Sequence, residues 1–552
     1  MRPISLAVTA ALLGLTGASS SSTLGLLKAN GVALGDWEAA YEKASAFVAG
    51  LTTDQKLALI TGSSVCSSNG SFSALEFLDG DMGLQNYFYV SAFSLSSALA
   101  MTWDHDAIYA QAKAVGSEFY NKGIQVVAGP TSQPMGRSPW GGRNVEGFGP
   151  DPYLNGLATG LSTKGYVDAG AIPGGKHFLL YEQETNRTSS GGGGGPGGGG
   201  GGGMPPGGMG FGGSNSSSPG PQPSGSFIRR DTVSSDTEPA PYSSNADDKT
   251  LHETYLWPFY DAVKNGLGAV MCAMTKVNGT YSCENSDLLM KTLKTELGFL
   301  GLVWPDINGQ NSAEGPALGG EDYGSSSVWR NSIVDLLYGA ISPSGRLVHT
   351  IAKNESDYNV ELCYTAQCDF TEGVYIDYRY FDAKNVTPRY PFGHGISYTT
   401  FKYSDLAIKT PFAITKAPQG NLTVGGNSDL WDIVGTVSAR ITNSGMLAGA
   451  EIPQLYLGFP DAADQPVRQL RGFDRVELRA EQETIVTFNL RRRDISYWDV
   501  AAQQCLVASG KYKVYVGASS RDLRLNGTFS LRKSISLAGA PFKDLPARSY
   551  LF

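Results

Sequence analysis

At 552 residues and a formal net charge of -8, the chain is too long for one core and divides, at the usual size of domains, into roughly three or four units. The charge is spread without a basic block, which argues against nucleic acid or an anionic membrane as partner and favours a neutral or weakly polar substrate.

The chain opens with Arg2, a short apolar run from Ile4 to Leu15 and small residues around Ala18. This pattern predicts a secretory signal peptide over 1–18 and a mature chain outside the cytosol. No other segment reaches the roughly 18 to 20 consecutive apolar residues of a membrane span.

From about residue 30 the pattern is an apolar strand, then a polar or glycine-rich motif, then a helix. SALEFLDGD ends near Asp79, IQVVAGP near Gly129, GAIPGGKH at Lys176 and His177, GAVMCAMT near Met274, and GLVWPD at Asp306. Five such strand ends, separated by helical segments, predict a TIM-like (β/α) barrel over 30–310 with its polar groups on one rim. Within it, 186–245 is dominated by Gly, Pro and Ser. Such composition buries too little apolar surface to offset its ordering entropy, so a disordered spacer is expected there. It does not read as a phosphate cradle, because no strand leads in and no Lys-Ser/Thr follows.

After about 430 the period changes to two. Val486, Phe488 and Leu490 alternate with Thr487 and Asn489, and Tyr512, Val514 and Val516 with Lys511 and Lys513. Turns such as NSG and ASG separate these runs, which predicts an antiparallel β-sandwich. No cluster of titratable residues there suggests catalysis.

Eight Asn-x-Ser/Thr sequons begin at Asn69, Asn186, Asn215, Asn278, Asn354, Asn385, Asn421 and Asn526, in keeping with a glycosylating secretory route. Cys272 with Cys283 and Cys363 with Cys368 enclose short loops, so two local disulfides are expected in an oxidising compartment. Cys66 and Cys505 have no obvious partner. No Cys/His spacing suggests zinc, and neither a metal nor another cofactor is expected.

Several long motifs resemble glycoside hydrolase family 3, in its fungal secreted β-glucosidase branch: GRSPWGGRNVEGFGPDPYLNG, KHFLLYEQE, DDKTLHETYLWPF, the stretch ending at Asp306, YPFGHGISYTTF and RQLRGFDRVEL. The resemblance implies a barrel, an α/β sandwich and a C-terminal fibronectin type III-like domain, here over 401–552. It implies cleavage of terminal non-reducing β-D-glucosyl residues with retention, through a covalent glycosyl-enzyme. Asp306 matches the family nucleophile, Asp79 the aspartate that accepts hydrogen bonds from sugar hydroxyls, and Arg143, Lys176 and His177 its sugar-binding positions.

The chain also departs from the family. DGPLGxR reads DGDMGLQ, so Gln85 stands where arginine is usual. MCSYN reads MCAMT, with Met274 in place of a tyrosine that contacts the nucleophile. SDW reads PDI, with Pro305 before Asp306 and Ile307 in place of a tryptophan. Losing one transition-state donor costs on the order of a hundredfold in rate.

Only about 90 residues separate Asp306 from YPFGHGISYTTF, at the low end for an independent domain. The segment 311–400 therefore reads as the remnant of the α/β sandwich, with Val334, Leu336 and Leu337 expected to bury. In the resembled family that domain carries the acid/base glutamate; Glu314 and Glu321 are the nearby glutamates, and neither aligns with it. Three readings follow. One is a retaining hydrolase, the second a catalytically impaired relative that binds a glycoside or another protein, and the third a sequence lacking exons of an active β-glucosidase.

Overall fold

The computed structural model describes residues 33–85, 87–183, 242–306, 341–411 and 413–533. The signal segment 1–18, most of the glycine-rich tract, Asn186, Asn215, Ile307, Glu314, Glu321, Val334, Leu336 and Leu337 lie outside the described residues.

The first region is a parallel sheet of five strands in chain order: β1 (Phe77–Asp79), β2 (Val126–Thr131), β3 (Ile172–Phe178), β4 (Ala269–Cys272) and β5 (Leu302–Pro305). These are the five strands expected from the sequence. Their inner members are buried on both faces, which is why they read as short continuous apolar runs rather than as alternation.

Helices α1 (His105–Lys122), α2 (Pro152–Asp168) and α3 (Trp257–Lys264) lie on connections between strands. The side chain of Asp104 caps α1 by accepting from the amides of Asp106 and Ala107, and Asp151 caps α2 by accepting from Leu154 with Pro152 in the first turn. Gly123, at φ 82°, ends α1 in the left-handed conformation that a glycine adopts without steric cost.

The sheet curls into a half-barrel. Phe77 on β1 and Trp304 on β5 sit at opposite edges, yet their rings lie 5.2 Å apart. Val126, Ala128, Ala269 and Met271 complete this cluster, so one indole fills much of the interior. Gly174 on β3 makes room for it, since a Cβ there would lie 2.2 Å from Trp304 Cη2. Pro305 is tolerated because β5 is an edge strand among the described residues, where a missing ladder donor costs little.

One boundary differs from expectation. The polar tract was expected to stay disordered to Asn245, but Ser243–Asn245 forms a strand beside Gln367–Asp369 and Lys276–Val277. Tyr242 is buried and its hydroxyl donates to Gln183 O at 2.8 Å, while Ser244 Oγ donates to Leu180 O at 2.8 Å. Partners distant in sequence supply the burial that the local composition lacks.

Residues 341–400 carry little regular structure beyond the strand Gln367–Asp369 and a short helix, Tyr378–Ala383. They bridge the other two regions instead. Arg346 pairs with Glu451 at 2.9 Å, Tyr378 donates to the capping carboxylate of Asp151 at 2.9 Å, and the Tyr378 hydroxyl accepts from Leu470 N. Arg137 and Glu372 form a two-point ion pair beneath the rim. Disulfides join Cys272 to Cys283 and Cys363 to Cys368, and Cys66 and Cys505 are free thiols.

The C-terminal region is a β-sandwich. One sheet holds β6 (Phe401–Lys409), β7 (Ile433–Asn443) and, after β8 (Gln454–Gly458) and β9 (Gln469–Phe473), β10 (Glu483–Arg491). The other holds β8 and β9 with β11 (Gly510–Gly517) and β12 (Leu523–Lys533). Val437, Ile441, Leu455, Leu457, Val486, Phe488, Leu490, Tyr512, Val514 and Val516 meet between them, so the period-two alternation points inward as expected.

The sandwich grips the half-barrel through charge and rings. Asp261 on α3 accepts from Arg491 at 3.1 Å and from Arg493 at 2.7 Å, and the Arg493 guanidinium lies 3.8 Å over the Trp257 ring. His252 stacks on Trp498 at 3.6 Å.

Candidate active site

The parallel register brings the five strand tips to one rim, and consecutive residues Lys176 and His177 on β3 serve two neighbouring clusters there. In the first, the Lys176 ammonium bonds to Asp79 Oδ1 and lies 3.0 Å from Asp81 Oδ2. All three side chains are almost wholly buried. Gln85 Nε2 donates to Asp79 Oδ2 at 3.2 Å, and Thr131 Oγ1 donates to Asp81 Oδ2 at 2.9 Å. Gln85 thus keeps a neutral bond to the carboxylate without adding a charge.

Two carboxylates share one cation in this cluster. Burial pushes the Asp81 carboxyl up to about 7, with Asp79 and Glu146 adding to the effect and Lys176 opposing it. A second rim carboxyl, Glu182, is also pushed up to about 7 by burial, although the Gly136 amide and Tyr255 hydroxyl donate to it and Arg137 is near.

In the second cluster, His177 Nε2 lies 3.5 Å from Asp306 Oδ2 and 3.4 Å from Arg143 Nη2. Arg143 is held by a two-point pair to Glu146, at 2.7 and 2.8 Å. Asp306 is 7% exposed, and its amide donates to Cys272 O at 3.0 Å, continuing the ladder between β5 and β4 one step beyond the strand. Met274 accepts from the Tyr181 hydroxyl at 3.5 Å, and the Tyr181 ring stands edge-on to His177 with centroids 5.1 Å apart.

Asp79, Arg143, Lys176, His177 and Asp306 are therefore brought together. Asp81, Gln133, Glu146, Tyr181 and Glu182 join them without having been singled out in the sequence. The signal for Asp81 was its place in DGD beside Asp79, and for Glu146 its spacing of three from Arg143. Gln133 and Tyr181 carried none, because their role depends on where the rim loops fold. The six sequon asparagines among the described residues, Asn69, Asn278, Asn354, Asn385, Asn421 and Asn526, are all exposed. Asn278 also exchanges hydrogen bonds with the backbone of Ala246.

Among the described residues no group of three or more His, Cys, Asp or Glu is placed to hold a metal, and no helix is long and apolar enough to cross a membrane. Chemically, the rim offers a buried carboxylate, Asp306, facing an imidazole that also lies against the Arg143 guanidinium. Beside it stands a carboxylate pair with a lysine, suited to gripping vicinal hydroxyls.

Comparison with known proteins places this geometry among relatives. Residues 229–316 match the glycosyl hydrolase family 3 N-terminal domain, 322–398 its C-terminal domain, and 451–520 a fibronectin type III-like domain. A protein of Aspergillus flavus named "Probable beta-glucosidase D" is 52% identical, with 96% of this chain and 100% of the relative covered. Its counterpart in Aspergillus niger is 50% identical, covering 97% and 100%. The alignment with the A. flavus protein runs over 790 residues, more than the 552 of this chain, so that relative carries long stretches with no counterpart here.

The solved beta-D-glucoside glucohydrolase of Trichoderma reesei superposes with a TM-score of 0.74 at 26% identity, over 90% of this chain and 99% of that one. The beta-glucosidase D2-BGL of Chaetomella raphigera gives 0.74 at 27%, over 90% and 100%.

Proposed function

Because the chain belongs to glycosyl hydrolase family 3, we propose that it is a secreted glycosidase that cleaves terminal β-D-glucosyl residues with retention, Asp306 being the nucleophile. The observation that carries this reading is the placement of Asp306 at the tip of β5, buried and facing His177, beside the Asp79–Lys176 pair. A carboxylate that attacks an anomeric carbon must stay ionised, and Asp306 and Arg143 both approach His177 Nε2. Asp79 accepts from the hydroxyls of the sugar and Lys176 holds it in place, while Arg143 orients His177.

In the first step Asp306 forms a bond to the anomeric carbon as the bond to the leaving oxygen breaks; in the second, water cleaves the glycosyl ester. The first step needs a proton for the leaving oxygen, and Glu314 and Glu321 are the proposed sources. The substrate is a small glycoside or oligosaccharide.

The test is hydrolysis of an activated aryl β-glucoside, which needs little acid assistance, by the chain and by Asp306→Ala. The expected outcome is a loss of at least about a thousandfold in the variant. Equal background rates would sink the hydrolase reading. A second reading, an impaired glycoside-binding relative, is favoured by the long stretches of the relatives that lack a counterpart here. It predicts that glucose binds both forms while neither turns over. Sequencing the transcript across the codons for 300–330 separates both from a chain with missing exons.

A further inference from the structure

We propose that Tyr181 is a positioning residue for the reaction above, on which this inference rests: with Gln133 it sets the plane of the His177 imidazole against the Asp306 carboxylate.

The backbone of Tyr181 is clamped by a single side chain. Gln133 Oε1 accepts from Tyr181 N at 2.9 Å, and Gln133 Nε2 donates to Tyr181 O. Gln133 is wholly buried. Burying a primary amide is costly unless both its ends are bonded, and here both ends are committed to one residue. That residue lies just beyond the tip of β3, where the strand ladder no longer fixes the chain.

The clamp delivers the phenol ring, 3% exposed, edge-on to His177 with an interplanar angle of 80°. The Arg143 guanidinium lies 5.5 Å from the same ring, and the hydroxyl points to Met274 Sδ at the tip of β4. His177 is thereby faced by Asp306 from β5, by Arg143 with its partner Glu146 from the loop after β2, and by Tyr181 from its own strand's extension. Lys176, Asp79 and Asp81 lie in the adjoining cluster. The uncharged ring blocks rotation of the imidazole, so Nε2 stays within 3.5 Å of the carboxylate. The thioether is a weak acceptor, which leaves the ring rather than the hydroxyl as the working part.

The experiment compares Tyr181→Phe, Tyr181→Ala and Gln133→Ala in the full chain. With an activated aryl β-glucoside and active sites titrated by a mechanism-based fluoroglucoside, Y181A lowers kcat by about 10- to 100-fold with KM changed less than about threefold. Y181F stays within about threefold, and Q133A falls between them. Moving the ring to the next strand tip, in the double variant Y181A/M274Y, restores part of the loss, which a merely structural role would not allow.

A second readout does not depend on turnover. The C2 proton of His177, assigned among five histidines by loss in H177Q, is titrated with and without D306N. With Tyr181 present, D306N lowers the midpoint by about one pH unit; in Y181A the change shrinks to less than a third of that. An equal change in both backgrounds overturns the positioning role, even where the whole chain proves inactive and the hydrolase reading fails.

Discussion

The half-barrel and the β-sandwich solve opposite problems with the same alphabet. The half-barrel buries charge at its strand tips: Asp79, Asp81, Lys176, His177 and Asp306 are each less than a tenth exposed. It holds Asp81, and Glu182 beside them, against the preference of a carboxyl group for ionisation, as their raised values show. The sandwich buries an apolar interior with regular alternation and sends Arg491 and Arg493 outward, to Asp261 on α3. Both regions have apolar cores, and the buried charge gathers at the strand tips of the half-barrel. The boundary joins ion pairs to an apolar cluster in which Trp103, Leu154 and Trp257 meet Ile452, Tyr456 and Leu470.

Four changes break or sharpen that contrast, in falling order of effect. Asp261→Ala leaves Arg491 and Arg493 facing each other without a shared anion. Removing one partner of a buried ion pair costs about 3–5 kcal/mol, read as a lowered denaturant midpoint. Leu490→Ala, wholly buried between the two sheets, costs about 3 kcal/mol through lost transfer energy and a cavity. Its kcat per titrated site stays unchanged, which is the part that tests the separation of roles.

Asp81→Asn acts through pH. Burial raises the folded-state Asp81 to about 7, so the folded chain binds that proton more tightly than the unfolded one. The stability this contributes is complete below about pH 4 and lost as pH rises through 7. Asparagine cannot lose it, so the variant should gain on the parent by a few degrees in Tm between pH 4 and 8. A parallel pair of Tm curves would show that Asp81 is not held against its preference. Last, Lys164→Ala breaks the exposed i,i+4 pair with Asp168 and should cost only about 0.3 kcal/mol.

The five strands of the half-barrel were legible because buried parallel strands leave short apolar runs that end on glycine or a charge. The sandwich was legible because a half-buried strand must alternate. Asp306 and Asp79 were legible as residues at strand tips, but their roles came from the resemblance. Asp81 was not singled out, since nothing local tells that Lys176, almost a hundred residues on, will sit between it and Asp79. Order at Tyr242–Asn245 was missed for a similar reason: its partners at 367–369 and 180–183 are remote in sequence. The clamp of Gln133 on Tyr181 is likewise a product of loop folding rather than of pattern.

The indole inside the half-barrel carries one more consequence. Trp304 sits two residues before Asp306 on β5, and its ring leans on Phe77, two residues before Asp79 on β1. A ligand that draws the two strand tips together changes the spacing of these rings and the surroundings of the chromophore. The difference in emission between the chain and Trp304→Phe is then a built-in optical gauge of occupancy, readable with a substrate that never turns over.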